Sequence, residues 1–130
     1  MDGESRGDKP VKSARTILIC EDEAALRELI RVSLGAGFGF IEAADGVEAL
    51  ELAKTQRPDV VVLDLMIPGI SGLDVLAQLR AEENGSKLPV VVISAWSDAR
   101  DEAFAAGADR FVLKPFIPDD LRAVIEELVE

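Results

Sequence analysis

Residues 59–72 read DVVVLDLMIPGISG, and the fold can be reasoned outward from the way this stretch changes character. Val60 to Leu63 form an apolar run without polar alternation; the run breaks at Asp64 and gives way to Pro68, Gly69 and Gly72. Strands covered on both faces read as continuous Val/Ile/Leu runs, whereas strands with one wet face alternate. Ligands of open parallel sheets bind just beyond the carboxyl ends of such strands, so Asp64 stands where chemistry is usually done. A lone Asp at a strand end commonly does no more than accept hydrogen bonds from turn amides. What separates the two readings is whether other strand ends also carry polar groups.

Before this stretch, Thr16 to Cys20 is a short β-type run, and Glu23 to Leu34 carries Leu26, Leu29, Ile30 and Leu34 at helical spacing until Gly35 and Gly37 stop it. A strand over Phe38 to Ala43 leads through Asp45-Gly46 into a helix from Val47 to about Thr55, and Pro58 precedes the central strand. After it, Leu73 to Ala81 is helical, and the loop from Glu82 to Leu88 turns at Asn84-Gly85. Pro89 to Ser94 is strand, about Asp98 to Ala106 is helix, Arg110 to Leu113 is strand, and Pro118 opens a last helix over Asp119 to Val129. Strict alternation of five strands and five helices specifies an α/β fold, a doubly wound parallel sheet with helices on both faces. The strand order expected is 2-1-3-4-5. Its switch point lies between strands one and three, whose carboxyl ends border the ligand crevice.

A chain of 130 residues with 48% hydrophobic content has room for one packed domain. Residues 1–14 mix both charges with Gly, Ser and Pro without periodicity and read as a mobile tail ahead of a domain over 15–130. The formal charge of −11 argues against a nucleic-acid-binding face and favours metal cations or basic partner surfaces. No apolar run approaches membrane-spanning length and the start lacks a signal-peptide core, so the expectation is a cytoplasmic protein. Cys20, the single cysteine, sits among Ile17, Leu18 and Ile19 as a core residue. With no His in the chain, catalysis has to rest on carboxylates, hydroxyls or Lys.

The strand ends do carry such groups. Glu21 and Asp22 follow strand one, Asp64 ends strand three, Ser94 ends strand four and Lys114 ends strand five. Three carboxylates in one crevice repel by roughly 4 kcal/mol per pair at about 4 Å and an effective dielectric near 20. A hard divalent cation removes that cost, and an all-oxygen donor set points to Mg²⁺. Asp22 also stands where it could cap the first helix, with Glu21 favouring its dipole, although that leaves the third acid over. A carboxylate nucleophile, a metal, a cation and a hydroxyl together make a set for phosphoryl transfer. Gly35 and Gly37 fall short of a dinucleotide loop, because Phe40 stands where the third Gly belongs, and no P-loop is present.

From about Thr16 to Glu130 the sequence resembles the CheY-like receiver domains of two-component response regulators. The motifs are ILICEDE, VVLDLMIPGISG, VVISAW and GADRFVLKPF, in that order. The resemblance implies a flavodoxin/CheY-like (βα)5 fold in which Asp64 takes a phosphoryl group from a phosphohistidine on a histidine kinase or phosphotransfer protein. It implies a Mg²⁺ site of Glu21, Asp22, Asp64 and the Met66 carbonyl, with Glu21 acting through water. It also assigns Ser94 and Lys114 to the phosphoryl group, a cis bond to Lys114–Pro115, and a switch role to Phe111, which stands where Tyr is common. Met66 and Trp96, each two residues beyond a site residue, are expected to shield the acyl phosphate from water and slow its autodephosphorylation.

Such a chain is a signalling domain whose output partner the residues do not name, acting alone, as a relay, or as part of a larger regulator. The resemblance further suggests a homodimer through helix four, strand five and helix five, with Arg100, Asp101, Asp109, Arg110 and Arg122 pairing across it. Two alternatives stand beside it: a small Mg²⁺-dependent phosphohydrolase using Asp64 as nucleophile, and a receiver-like module that binds partners without phosphorylation.

Overall fold

Strand and helix alternate throughout the computed structural model, which describes residues 15–82 and 87–129. The expected tail over 1–14 and the Asn84-Gly85 turn lie outside the described residues. In chain order the elements are β1 (Arg15–Cys20), α1 (Ala24–Leu34), β2 (Phe38–Ala43), α2 (Gly46–Gln56), β3 (Val60–Asp64), α3 (Gly72–Ala81), β4 (Val90–Ser94), α4 (Ala99–Ala105), β5 (Arg110–Leu113) and α5 (Pro118–Val129). All strand pairs are parallel, and the sheet runs β2-β1-β3-β4-β5, the order expected from the alternation.

Burial explains the contrast between the strands. The whole of β3 and β4 is buried, and their sequences show no alternation. By contrast β2 and β5, at the two edges, are mostly half-buried or exposed. Successive residues of the central strands point to opposite faces. Leu18, Val61, Leu63, Val90 and Val92 pack with Ala49 of α2, Val75, Leu76 and Leu79 of α3 and Ala103 of α4. Ile17, Ile19, Val60, Val62, Val91 and Ile93 pack with Ile30 and Leu34 of α1 and Leu121 and Ile125 of α5. Cys20 is buried in the first of these layers, as its apolar neighbours suggest.

The element bounds differ from the sequence reading by a residue or two, for local reasons. Pro89 has no N–H to give the ladder, so β4 begins at Val90, while the Pro89 carbonyl accepts from Val61 N–H at 2.9 Å. Gly46 joins α2 because Asp45 caps it, accepting from Glu48 N–H at 2.8 Å. Ser71 caps α3 through Asp74 N–H at 3.2 Å. Gly72 opens that helix at a position no other residue fits without movement: a Cβ there would lie 2.4 Å from Leu65 Cα. That close approach folds the loop after Asp64 back onto the end of its own strand. Among the described residues no helix is long and apolar enough to cross a membrane.

Candidate functional site

Register alone brings the polar strand ends together. Cys20 pairs with Leu63, so the next residues, Glu21 and Asp64, lie side by side at the switch point. Asp64 pairs with Ile93 and Ser94 with Leu113, which places Ser94 and Lys114 one step further along the same sheet edge. One carboxylate oxygen from each of Glu21, Asp22 and Asp64 lies within 4.8 Å of the other two. Glu21 and Asp64 are buried at 2% exposure each, while Asp22 is exposed.

Both oxygens of Asp64 are engaged. Oδ1 accepts from the Met66 N–H at 2.9 Å and Oδ2 from Lys114 Nζ at 2.7 Å. Burial works against the charge on Asp64, but the adjoining Glu21, the Lys114 ammonium and the Met66 N–H outweigh it and hold the carboxyl below its usual range. Burial likewise opposes the charge on Lys114, and the adjoining Asp64 and Glu21 overcome it, raising the ammonium above its ordinary value. At Glu21 burial dominates: with the neighbouring Asp64 it pushes the carboxyl up to about 8, against the Glu23 N–H and Lys114.

Glu21 shows why the cluster suits a cation. Its Oε2 accepts from Glu23 N–H at 2.9 Å, whereas Oε1, 3.5 Å from Lys114 Nζ, is buried without a hydrogen-bond partner among the described residues. An acceptor orphaned in the interior is costly, and an ion held by oxygen donors satisfies it. The donor set contains only hard carboxylates, so the residues fit a metal ion. Helix capping does not account for Asp22: the residue flanking α1 is Glu23, and no side chain caps that helix.

Ser94 is fully buried, and its Oγ accepts from Trp96 N–H at 3.0 Å. Phe111 pairs with Val92 and packs in the same layer, so it shares a sheet face with Ser94, two residues further along β4. Its ring lies 5.9 Å from the Arg100 guanidinium, which also covers Phe104 at 5.1 Å. Met66 and Trp96, 64% and 61% exposed, flank a groove of about 410 Å³ whose floor includes Leu65 and Ser94. The Lys114–Pro115 bond is cis, as the resemblance implied. One contact escaped the sequence reading. Arg27 of α1 donates from Nη1 to the Glu21 carbonyl at 2.7 Å, a pairing that no local spacing announces.

A buried carboxylate beside two further acids and an ammonium, all at the switch point of a doubly wound sheet, defines a receiver-type signalling domain. The chain belongs to the response regulator receiver domain family, whose model matches residues 17–126. It is 41% identical over 110 residues to the DNA-binding response regulator MtrA of Mycolicibacterium paratuberculosis, covering 82% of this chain and 48% of that protein. Among solved structures it resembles the receiver domain of the Francisella response regulator 1452, with a TM-score of 0.81 and 30% identity over 88% of this chain and 96% of that one. It also resembles the receiver domain of the sensor histidine kinase PA1611 of Pseudomonas aeruginosa, solved with magnesium coordinated in the active-site cleft. There the TM-score is 0.83 and the identity 27%, over 90% of this chain and 98% of that one.

These relatives correct one expectation. The chain spans about half the length of the curated relatives it matches, and MtrA is a DNA-binding regulator, so nucleic acid is not excluded as the acidic composition suggested. Net charge constrains only the surface of the residues counted, and the −11 belongs to this stretch alone. The charges suggested for a dimer face are largely engaged within the chain. Asp109 accepts from Arg80 and from the Val90 N–H, Arg110 pairs with Glu127, and Arg122 binds Asp119 and the Ser33 carbonyl.

Proposed function

We propose that Asp64 is the phosphoacceptor of a two-component response regulator and that residues 15–130 form its receiver unit. One Asp64 oxygen attacks the phosphorus of a phosphohistidine on a histidine kinase or phosphotransfer protein. The P–N bond breaks, the imidazole nitrogen keeps the electron pair and is protonated from water, and Asp64 becomes an acyl phosphate. Lys114 keeps Asp64 ionised before transfer and faces the phosphoryl oxygens after it. Ser94 exchanges the Trp96 N–H for the phosphoryl group, and Phe111, on the same face, follows that movement. The observation that carries this reading is the 2.7 Å contact between Lys114 Nζ and the buried Asp64 carboxylate at the switch point.

Glu21, Asp22, Asp64 and the Met66 carbonyl are the residues assigned to hold Mg²⁺, with Glu21 acting through water. When bound there, the ion supplies positive charge to the phosphoryl oxygens. The domain also dephosphorylates itself: water attacks phosphorus and the Asp64 carboxylate leaves. On this reading the regulator is cytoplasmic, and its output is DNA binding, the property in the name of MtrA.

Intact mass after incubation with Mg²⁺ and acetyl phosphate tests this. Wild type should gain one phosphoryl group, lost in Asp64→Asn and in the presence of a chelator. Catalytic release of phosphate without an adduct would instead make the domain a phosphohydrolase. The absence of both adduct and turnover would leave a phosphorylation-independent binding module.

A further inference from the structure

Arg27 touches none of the reacting groups, yet it ties the acidic cluster to the edge strand. Its Nε donates to Glu42 Oε1 at 2.8 Å and its Nη1 to the Glu21 carbonyl at 2.7 Å. One helical turn on, Arg31 binds the other Glu42 oxygen. The Glu21 amide donates to the Ala43 carbonyl at 2.9 Å. Strand β2, which supplies no acid to the cluster, therefore grips the Glu21 backbone on both sides: directly at its N–H, and through Glu42 and Arg27 at its carbonyl. With Oε2 fixed by the Glu23 N–H, only Oε1 remains without a hydrogen-bond partner among the described residues. Such a residue has little freedom left except to offer that one oxygen. The linkage is sheltered, since the Arg27 side chain is 19% exposed and that of Glu42 33%.

We infer that Arg27, oriented by Glu42, is a positioning residue for Glu21 and sets how tightly the acidic cluster holds a divalent cation. The inference rests on the cation-site reading above. Outer partners that orient ligands typically alter metal affinity by about 10–100-fold when lost. Charge and positioning give opposite signs here, which makes the role separable. A guanidinium bonded to the Glu21 carbonyl puts positive charge beside the cluster and repels a cation, so through charge alone its removal would tighten binding. Through positioning, its removal loosens binding.

Calorimetric titration of the whole chain with MgCl2, alongside thermal melts followed by circular dichroism, decides between them. Arg27→Gln should weaken Mg²⁺ binding about tenfold. Arg27→Lys should weaken it similarly, because one ammonium cannot replace a fork that spans Glu21 and Glu42. Arg31→Gln removes a bond to the same Glu42 but none to Glu21, and should leave the affinity within about twofold of wild type, inside the usual scatter of surface substitutions. At saturating Mg²⁺ the phosphorylation rate of Arg27→Gln should return to nearly that of wild type, separating affinity from chemistry. Unchanged or tightened binding in Arg27→Gln overturns the inference, as does an equal loss in Arg31→Gln, which would mean general loosening of α1. Absence of saturable Mg²⁺ binding in the wild type would refute the cation site itself, a different failure.

Discussion

In the absence of divalent cations the protein should lose stability as pH rises through neutrality, with Glu21 as the cause. Burial, reinforced by Asp64, pushes its carboxyl from an ordinary 4.5 to about 8. Between those values the folded protein keeps a proton that the unfolded chain has released. The resulting stabilisation is complete below about pH 4.5, declines with each unit above it, and is gone beyond about pH 8. At about 1.4 kcal/mol per unit, and with part of the shift shared with Asp64, the span is worth on the order of a few kcal/mol, a large fraction of the stability of a small domain. Asp64 acts in the opposite sense. Its lowered value stabilises the fold above 3.8, and that contribution is lost on acidification. Metal-free stability should therefore peak in the mildly acidic range. Glu21→Gln reproduces the shape and donor capacity of the protonated acid but does not titrate. In urea titrations with a chelator, it should match wild type near pH 5, stay flat toward pH 8, and there exceed wild type by a few kcal/mol, on the order of the span above. A wild type with no decline above pH 5, or a Glu21→Gln variant with the same slope, would refute the reasoning.

Three further outcomes follow from the geometry. Gly72→Ala should lower unfolding stability by about 1–3 kcal/mol, because its Cβ meets the Leu65 backbone, which cannot yield as a side chain would. Urea denaturation measures it. Lys114→Gln removes the ammonium bonded to Asp64 and should slow phosphorylation by acetyl phosphate by about 10²–10³-fold, the usual cost of one transition-state donor. Trp96→Glu replaces an exposed apolar wall of the groove with a charge that orders water. It should shorten the phosphoryl lifetime about tenfold, the effect of about 1.4 kcal/mol on a barrier, and an unchanged decay by intact mass would count against shielding.

The fold was readable because burial writes itself into composition: β3 and β4, covered on both faces, are unbroken apolar runs, and the edge strands are not. The site was readable for a related reason. Each of its groups ends a strand or follows one directly, and parallel register aligns those ends without help from distant loops. Contacts that depend on side-chain reach were not readable. Arg27 and Glu42 are fifteen residues apart on different elements, and nothing in their local spacing marks them as partners. Nor does sequence show that the Met66 N–H binds Asp64, or that Glu23, not Asp22, stands immediately before α1. The switch role proposed for Phe111 came from resemblance alone; the structure adds that it shares a sheet face with Ser94. Charge could not decide on nucleic acid because it speaks only for the residues counted, which span about half the length of a DNA-binding relative such as MtrA.

The most direct test of the account is to locate the phosphoryl group. Phosphorylated protein treated with tritiated borohydride, which reduces an acyl phosphate at an aspartyl carboxyl to homoserine, can be digested and its label mapped. The account predicts label at residue 64 alone, and only after phosphorylation. Label at Asp22, Glu21 or elsewhere, or phosphoryl groups that resist borohydride as an ester on Ser94 would, contradicts it.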